Sequence, residues 1–153
     1  MIGYILIAIM LILPAHTVCA NDAPSAPTIA QDKPTTDTRK TIVYYFHGDI
    51  RCFACLNIES YTQEAVKTNF VKQLASGAMA WRVVNFDHPG NEHYTADYQL
   101  PSPSVILSEV RNGKEARWKN LDKIWEREPD KGSFIQYIRE EIVDFIKPVK
   151  PRT

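Results

Sequence analysis

The sequence predicts an α/β domain in which a mixed four-stranded sheet carries helices on both faces. A buried strand, a helix and a second buried strand follow one another, and this succession implies a parallel βαβ unit. Asn112-Gly113 is the strongest short-range hairpin signal in the chain, and it adds antiparallel strands to the same sheet. With 153 residues, of which 44% are hydrophobic, the chain has room for one compact domain.

The first half of the predicted domain, which spans residues 40–147, supplies the βαβ unit. Residues 41–46 are β-branched and aromatic and form a run long enough for one buried strand. The apolar run at residues 80–86 predicts the second strand. Between them, a helix over residues 56–75 is indicated by apolar side chains four positions apart on one face, which are Val66, Phe70 and Leu74.

The second half supplies the hairpin and the last helix. A short helix is predicted over residues 92–98, and strands over 104–110 and 114–118 flank the Asn-Gly turn. Beyond them, Ser133 and Gln136 have the spacing of a capping box and predict the start of a helix with one apolar side.

The two ends of the chain lie outside this domain. Residues 148–153 are predicted to be a C-terminal tail, since Pro148 ends the last helix. At the other end, residues 1–20 contain an uninterrupted apolar run and residues 21–39 have the composition of a flexible linker.

The apolar run at residues 2–13 predicts export from the cytoplasm. It is short for a membrane span and is followed by small residues that suit a signal-peptide cleavage site after Ala20. The alternatives are lipid attachment at Cys19 and an uncleaved N-terminal membrane anchor. All three interpretations place the domain outside the cytoplasm, in the periplasm or secreted, where disulfides persist.

Composition excludes several classes of protein. Eighteen basic and eighteen acidic residues cancel, and no basic stripe follows the chain, which argues against a nucleic-acid partner. Three cysteines are too few for a disulfide scaffold of this size. No GxGxxG motif follows a predicted strand, so the sequence predicts no flavin, nicotinamide or other cofactor.

The chemistry of the chain is concentrated in Cys52-Phe-Ala-Cys55, between the first strand and the first long helix. The positive end of a helix dipole stabilises a thiolate at the first cysteine, so Cys52 is predicted to attack and Cys55 to resolve the mixed disulfide. Two other interpretations stay open here, a structural disulfide and a metal site. In the second, His47 would complete a soft Cu(I) site with both cysteines.

With this motif in place, the chain resembles the thioredoxin-fold superfamily over residues 40–147. Beyond CxxC, the resemblance rests on three segments, which are Val84-Asn85-Phe86-Asp87, Tyr98-Gln99-Leu100 with Pro103-Ser104-Val105-Ile106-Leu107, and Arg111-Asn112-Gly113-Lys114. It implies a thioredoxin-like fold and a cis-proline facing the dithiol, at Pro103 or, as second choice, at Pro101. It also implies that Ser102 offers its backbone to an incoming substrate strand.

More narrowly, three segments resemble a bacterial family described as nitrophenyl compound nitroreductase subunit, ArsF-like. They are Tyr44-Tyr45-Phe46-His47-Gly48 with the cysteine motif, Trp81-Arg82-Val83-Val84-Asn85, and Arg117-Trp118-Lys119-Asn120-Leu121-Asp122-Lys123-Ile124-Trp125. If a nitro group is reduced in that system, the resemblance implies that another subunit carries the cofactor.

The chain also departs from the thioredoxin pattern. Arg51 replaces the usual aromatic residue before the first cysteine, and the first strand contains no acidic residue. Arg51 is predicted to favour the Cys52 thiolate, and His47 is a second candidate for tuning the site. Whether the dithiol donates disulfides or electrons stays open.

These observations together predict an extracytoplasmic thiol–disulfide oxidoreductase. Its expected partners are a protein or small-molecule disulfide substrate and a redox partner that resets the dithiol, with membrane anchoring through the N-terminus as a further expectation. The alternatives are a copper-binding chaperone that uses the same cysteines and an electron-passing subunit of a larger reductase.

Overall fold

The computed structural model describes residues 38–148, so the predictions for residues 1–20, for Cys19 and for most of the 21–39 linker lie outside the described residues. None of the helices in the described range is long and apolar enough to cross a membrane. The elements in chain order are β1 Arg39–His47, α1 Phe53–Asn69, α2 Val71–Ala75, β2 Met79–Asn85, α3 His93–Asp97, β3 Ser104–Arg111, β4 Lys114–Asn120, α4 Ile124–Arg127 and α5 Lys131–Phe145.

The four strands form one mixed sheet in the order β2-β1-β3-β4. β1 pairs in parallel with β2, as the βαβ unit requires, and antiparallel with β3. β3 continues antiparallel into β4, with an irregularity in register at Glu109/Val110. This is the predicted α/β fold class, with a mixed four-stranded sheet.

Alternate residues of the central strand face two separate cores, because successive side chains of a strand point to opposite faces. Val43 and Tyr45 pack with α1 and α5. Ile42, Tyr44 and Phe46 pack against the aromatic cluster that begins in α3, on the other face. The prediction of helices on both faces is therefore confirmed, with one face covered far more thickly than the other.

The Asn-Gly hairpin is confirmed by its backbone geometry. Asn112 and Gly113 have φ angles of 51° and 79°, and positive φ at both central residues is what the favoured two-residue turn requires. The side chain of Asn112 also accepts a hydrogen bond from the backbone N–H of Thr38, at 3.3 Å, which ties the start of the domain to the hairpin.

Two helix starts differ from the predictions because other residues cap them. α1 begins at Phe53 rather than at residue 56, since Cys52 is its N-cap. α5 begins at Lys131, and the predicted capping box at Ser133 is wrong. Asp130 is the N-cap, and its carboxylate accepts the Ser133 N–H at 3.0 Å.

A carboxylate is buried at the end of the sheet opposite the cysteines. Glu109 on β3 is 0% exposed and accepts hydrogen bonds from three arginines, which are Arg39, Arg111 and Arg117. Burial alone would raise the pKa of Glu109. The hydrogen bonds from Arg111 and Arg117, with the charges of Arg117 and Arg39, outweigh burial and hold that pKa below its usual range.

Candidate active site

The two cysteines of the CxxC motif form a disulfide at the junction of β1 and α1. Their Cα atoms are 5.0 Å apart. Cys52 is exposed, whereas Cys55 is only 4% exposed. A substrate can therefore reach the Cys52 sulfur, while Cys55 lies behind it in the position that a resolving thiol needs.

The Cys52 sulfur lies at the positive end of α1. Cys52 has extended backbone angles (φ −79°, ψ 166°) as the N-cap of a 17-residue helix. Its Sγ accepts the backbone N–H of Cys55 at 3.1 Å. After reduction, this N–H and the helix dipole stabilise negative charge on Cys52, because both place partial positive charge beside the sulfur.

Tyr45 ties the resolving cysteine to the sheet. Its hydroxyl donates a hydrogen bond to the Cys55 backbone oxygen at 2.7 Å, from a side chain that is 0% exposed. Burial, opposed in part by the charge of Arg51, raises the pKa of Tyr45 to about 12. The hydroxyl therefore remains a donor throughout the working pH range. The sequence predicted Tyr45 only as part of the buried first strand, without this hydrogen bond.

Arg51 is held by an acidic partner instead of being free beside Cys52. Its guanidinium forms an ion pair with Glu59 on α1 and lies 5.8 Å from the centre of the Tyr45 ring. Glu59 was missed from the sequence, because a spacing of eight residues across a loop and a helix carries no pairing signal. The predicted tuning by Arg51 is thus opposed by a nearby carboxylate.

Replacing Glu59 with glutamine is expected to strengthen the stabilisation of the Cys52 thiolate by the positive charge of Arg51. The pH midpoint for alkylation of the reduced Cys52 should fall by about 0.5 unit, because the pair is partly exposed and its interaction is correspondingly weak. The alkylation rate with iodoacetamide, measured as a function of pH, checks this. Glu64→Gln is the matched control, since Glu64 lies on the same helix but pairs with Lys131. An unchanged or raised midpoint in Glu59→Gln would contradict the prediction.

The loop that leads from β1 to the cysteines is fixed by an acid–amide network. The Asp87 carboxylate accepts the backbone N–H of Asp49 at 2.8 Å, and Asn85 donates to the Asp49 carboxylate at 2.6 Å. A Cβ on Gly48 would lie 2.7 Å from Asp87 Oδ2, so a larger residue here would displace this carboxylate. Asn85 and Asp87 belong to a segment on which the thioredoxin resemblance rests, and here they position the loop.

His47 lies at the end of β1 and is turned toward its own backbone. Its Nδ1 is 2.8 Å from the Gly48 carbonyl oxygen, which only accepts, so Nδ1 is the donor. Its ring stacks on Tyr45 with centroids 5.9 Å apart. Within residues 38–148, with the two cysteines joined in a disulfide, no three His, Cys, Asp or Glu side chains are placed to hold a metal ion.

Ser102 and Pro103 directly precede β3, at the end of the sheet where β1 also ends. Ser104, the next residue, pairs with Phe46 in the register of β1 and β3. The predicted cis-proline is wrong, since every peptide bond in residues 38–148 is trans. The trans isomer is favoured by about 0.5–1 kcal/mol before proline, and here hydrogen bonds to the Ser102 and Pro103 carbonyls hold the loop without a cis bond.

Trp125 contacts the loop that contains Ser102 and Pro103. Its Nε1 donates to the Pro103 carbonyl at 3.2 Å, and its ring borders a cavity of about 130 Å³ that Ser102 also lines. Asn57, the fifth residue of α1, donates a hydrogen bond to Glu128 at 2.7 Å and so joins this helix to the end of α4. Helix α4 was not predicted, because four residues give too short a pattern.

Comparisons with known proteins find only distant similarities to solved structures. No family model and no curated protein match the chain. A malarial protein matches at 20% identity and a TM-score of 0.36, over 58% of this chain and 97% of its own. Thioredoxin from Fasciola hepatica matches at 22% identity and a TM-score of 0.36, over 59% of this chain and 77% of its own. A Thermus thermophilus thioredoxin matches at 15% identity and a TM-score of 0.40, over 69% of this chain and 75% of its own. The narrower resemblance to the nitroreductase subunit family stays a prediction.

Proposed function

We propose that this protein is an extracytoplasmic thiol–disulfide oxidoreductase that uses Cys52 and Cys55 as its redox couple. The observation that carries the proposal is the asymmetric burial of the pair at a helix N-terminus. Cys52 is open to solvent and bonded to the Cys55 N–H, whereas Cys55 is 4% exposed. A purely structural disulfide has no need of one accessible sulfur at the positive end of a helix.

In the reducing direction, the Cys52 thiolate attacks one sulfur of a substrate disulfide. A mixed disulfide forms, and the other substrate sulfur leaves as a thiolate that takes up a proton. Cys55 then loses its proton and attacks the Cys52 sulfur, which releases the second substrate thiol and closes the Cys52–Cys55 disulfide. Two electrons have passed to the substrate, and the reverse sequence oxidises a substrate dithiol. No cofactor takes part.

Two further roles complete the proposal. The backbone around Ser102 and Pro103 receives the substrate strand. This role is supported by the position of the loop, which lies at the end of the sheet where β1 leads to the cysteines. A second redox protein resets the couple after each turnover, because one exchange leaves the pair in the opposite oxidation state.

Location outside the cytoplasm is supported by the apolar run at residues 2–13 and the small residues around Ala20. Disulfides persist in oxidising compartments, so a Cys52–Cys55 disulfide suits this location. Fractionation of cells that express the full chain tests it, with the protein expected in the periplasmic, membrane or secreted fraction. Recovery in the cytoplasmic fraction alone would refute this part of the proposal.

The reduction potential of the couple tests the activity. Equilibration with glutathione, followed by tryptophan fluorescence, should give a reversible two-electron couple between about −270 and −120 mV, the range of exchange proteins. Trp125 is a suitable reporter because it bonds to the loop beside the site. A potential below about −300 mV would identify a structural disulfide instead.

A further inference from the structure

A cavity of about 580 Å³ lies along β2, and neither cysteine of the redox couple lines it. Arg82 and Asn85 of β2 form one wall, and Tyr94 of α3 contributes to another. Cavities of about 300–1,000 Å³ are typical of sites for small molecules. The cavity is therefore large enough for a ligand of its own, separate from a disulfide substrate. We call it the β2 cavity.

The ionic character of the β2 cavity is basic. Arg82, His47 and His88 line it, and no Asp or Glu is among the lining residues that the structure describes. Arg82 is exposed and forms no ion pair with any acid of residues 38–148. A guanidinium in this state keeps its paired N–H groups available for a carboxylate or a phosphate. The two imidazoles each gain a second N–H and a positive charge when they are protonated.

Asn85 adds a backbone donor, because β2 is an outer strand of the sheet. The N–H of Phe86 donates to the His47 carbonyl at 2.9 Å, so the preceding residue, Asn85, directs its own backbone groups to the open side of the strand. The Asn85 carbonyl on that side accepts the side-chain N–H of Asn91 at 2.9 Å. This bond occupies the acceptor and leaves the Asn85 N–H for a ligand.

Tyr94 and Arg82 approach the same part of the sheet. The rings of Tyr94 and Tyr44 have centroids 6.3 Å apart. Burial raises the pKa of Tyr44, Tyr94 raises it further, and the positive charge of Arg82 opposes both effects. Arg82 and Tyr94 thus both lie close to Tyr44, and the Tyr94 hydroxyl is a second neutral donor on the cavity lining.

The carboxylates beside Asn85 are already engaged in the loop before the cysteines. Asp49 accepts the Asn85 side-chain N–H at 2.6 Å, and Asp87 accepts the Asp49 backbone N–H at 2.8 Å. Neither carboxylate lines the cavity. The groups that face its interior therefore combine one permanent positive charge with several hydrogen-bond donors.

We propose that the β2 cavity binds a small organic anion whose carboxylate or phosphate group pairs with Arg82. The anion accepts two hydrogen bonds from the guanidinium and further ones from the Asn85 N–H and the Tyr94 hydroxyl. This ligand site is distinct from the Cys52–Cys55 couple and does not depend on its chemistry.

An NMR titration of the full chain with succinate, inorganic phosphate and the neutral succinamide tests this proposal. The measured signals are those of the Arg82 Nε–H and the Asn85 N–H, at a constant ionic strength of about 0.15 M that screens general attraction between distant charges. We expect saturable shifts with a dissociation constant of about 1 mM or tighter for at least one anion, and none with succinamide. The tighter of the two anions identifies the ligand as a carboxylate or a phosphate.

Arg82→Gln should weaken binding by about tenfold or more, and Tyr94→Phe, which keeps the ring, by about threefold. Arg139→Gln is the matched control, because Arg139 is an exposed arginine on α5 outside the cavity, and its affinity should equal that of the unaltered chain. Cys52→Ser should also bind normally, so failure of the redox function leaves this test intact. Absence of saturable shifts with both anions up to about 20 mM, equal binding of succinamide, or unchanged affinity in Arg82→Gln would overturn the inference.

Discussion

Replacing Cys52 with serine is expected to reduce turnover of a disulfide substrate by about a thousandfold or more, because a hydroxyl provides no thiolate to attack the substrate sulfur. The loss should be the same for every substrate, since Cys52 is the exposed sulfur of the pair. Steady-state reduction of a disulfide peptide checks this. Turnover within tenfold of the unaltered chain would contradict the role of Cys52 as nucleophile.

Replacing Cys55 with serine should have a different outcome. Cys52 still attacks, but the mixed disulfide has no thiol to resolve it and accumulates. Intact-mass measurement should therefore find the chain joined to one substrate peptide, and Cys52→Ser, the matched variant, should form no such adduct. An adduct in Cys52→Ser but not in Cys55→Ser would reverse the two roles.

The largest expected effect on stability lies at the other end of the sheet. Glu109→Gln should lower the free energy of unfolding by about 2–3 kcal/mol, because it leaves three arginines around a buried group without its charge. The effect is smaller than for a fully buried pair, since the side chains of Arg39, Arg111 and Arg117 are 27%, 41% and 33% exposed. Urea unfolding measures it.

The pH dependence of the same variant gives an independent check. Folding lowers the pKa of Glu109, so its stabilisation is complete above the unfolded value of about 4.3 and is lost as the pH falls through the folded value. The unaltered chain should therefore lose stability more steeply below about pH 4 than Glu109→Gln does. Glu141→Gln removes the partner of Lys119 at the surface and should change stability by less than about 1 kcal/mol. Parallel acid profiles for all three proteins would contradict the prediction.

The local sequence pattern was sufficient to predict the strands, the hairpin and the cysteine motif that position the site. The β-branched and aromatic run of β1 leaves few alternatives to a buried central strand, and Asn112-Gly113 leaves few alternatives to a tight hairpin. Cys52 and Cys55 were identified because the motif falls between a strand and a helix, where two spaced thiols meet. In each case, neighbours in sequence determine the structure.

Contacts between distant residues were not predictable in the same way. Glu109 is buried on β3, and its three arginines come from β1, β3 and β4. The Arg51–Glu59 pair and the bond from Trp125 to Pro103 likewise join segments whose approach depends on the completed fold. At the start of α5, Asp130 and Ser133 are both good capping residues, and sequence alone does not choose between them.

The order of the strands affects how the protein can associate with other chains. β4 is an outer strand with free backbone groups along one side, and such an edge is a template for adding a strand from another chain. Lys114, Glu115, Arg117 and Lys119 make this strand highly charged, and the register irregularity in β3 disturbs the ladder beside it. Charge on an outer strand opposes edge-to-edge aggregation. The charges on β4 therefore protect this side of the sheet from pairing with strands of other chains.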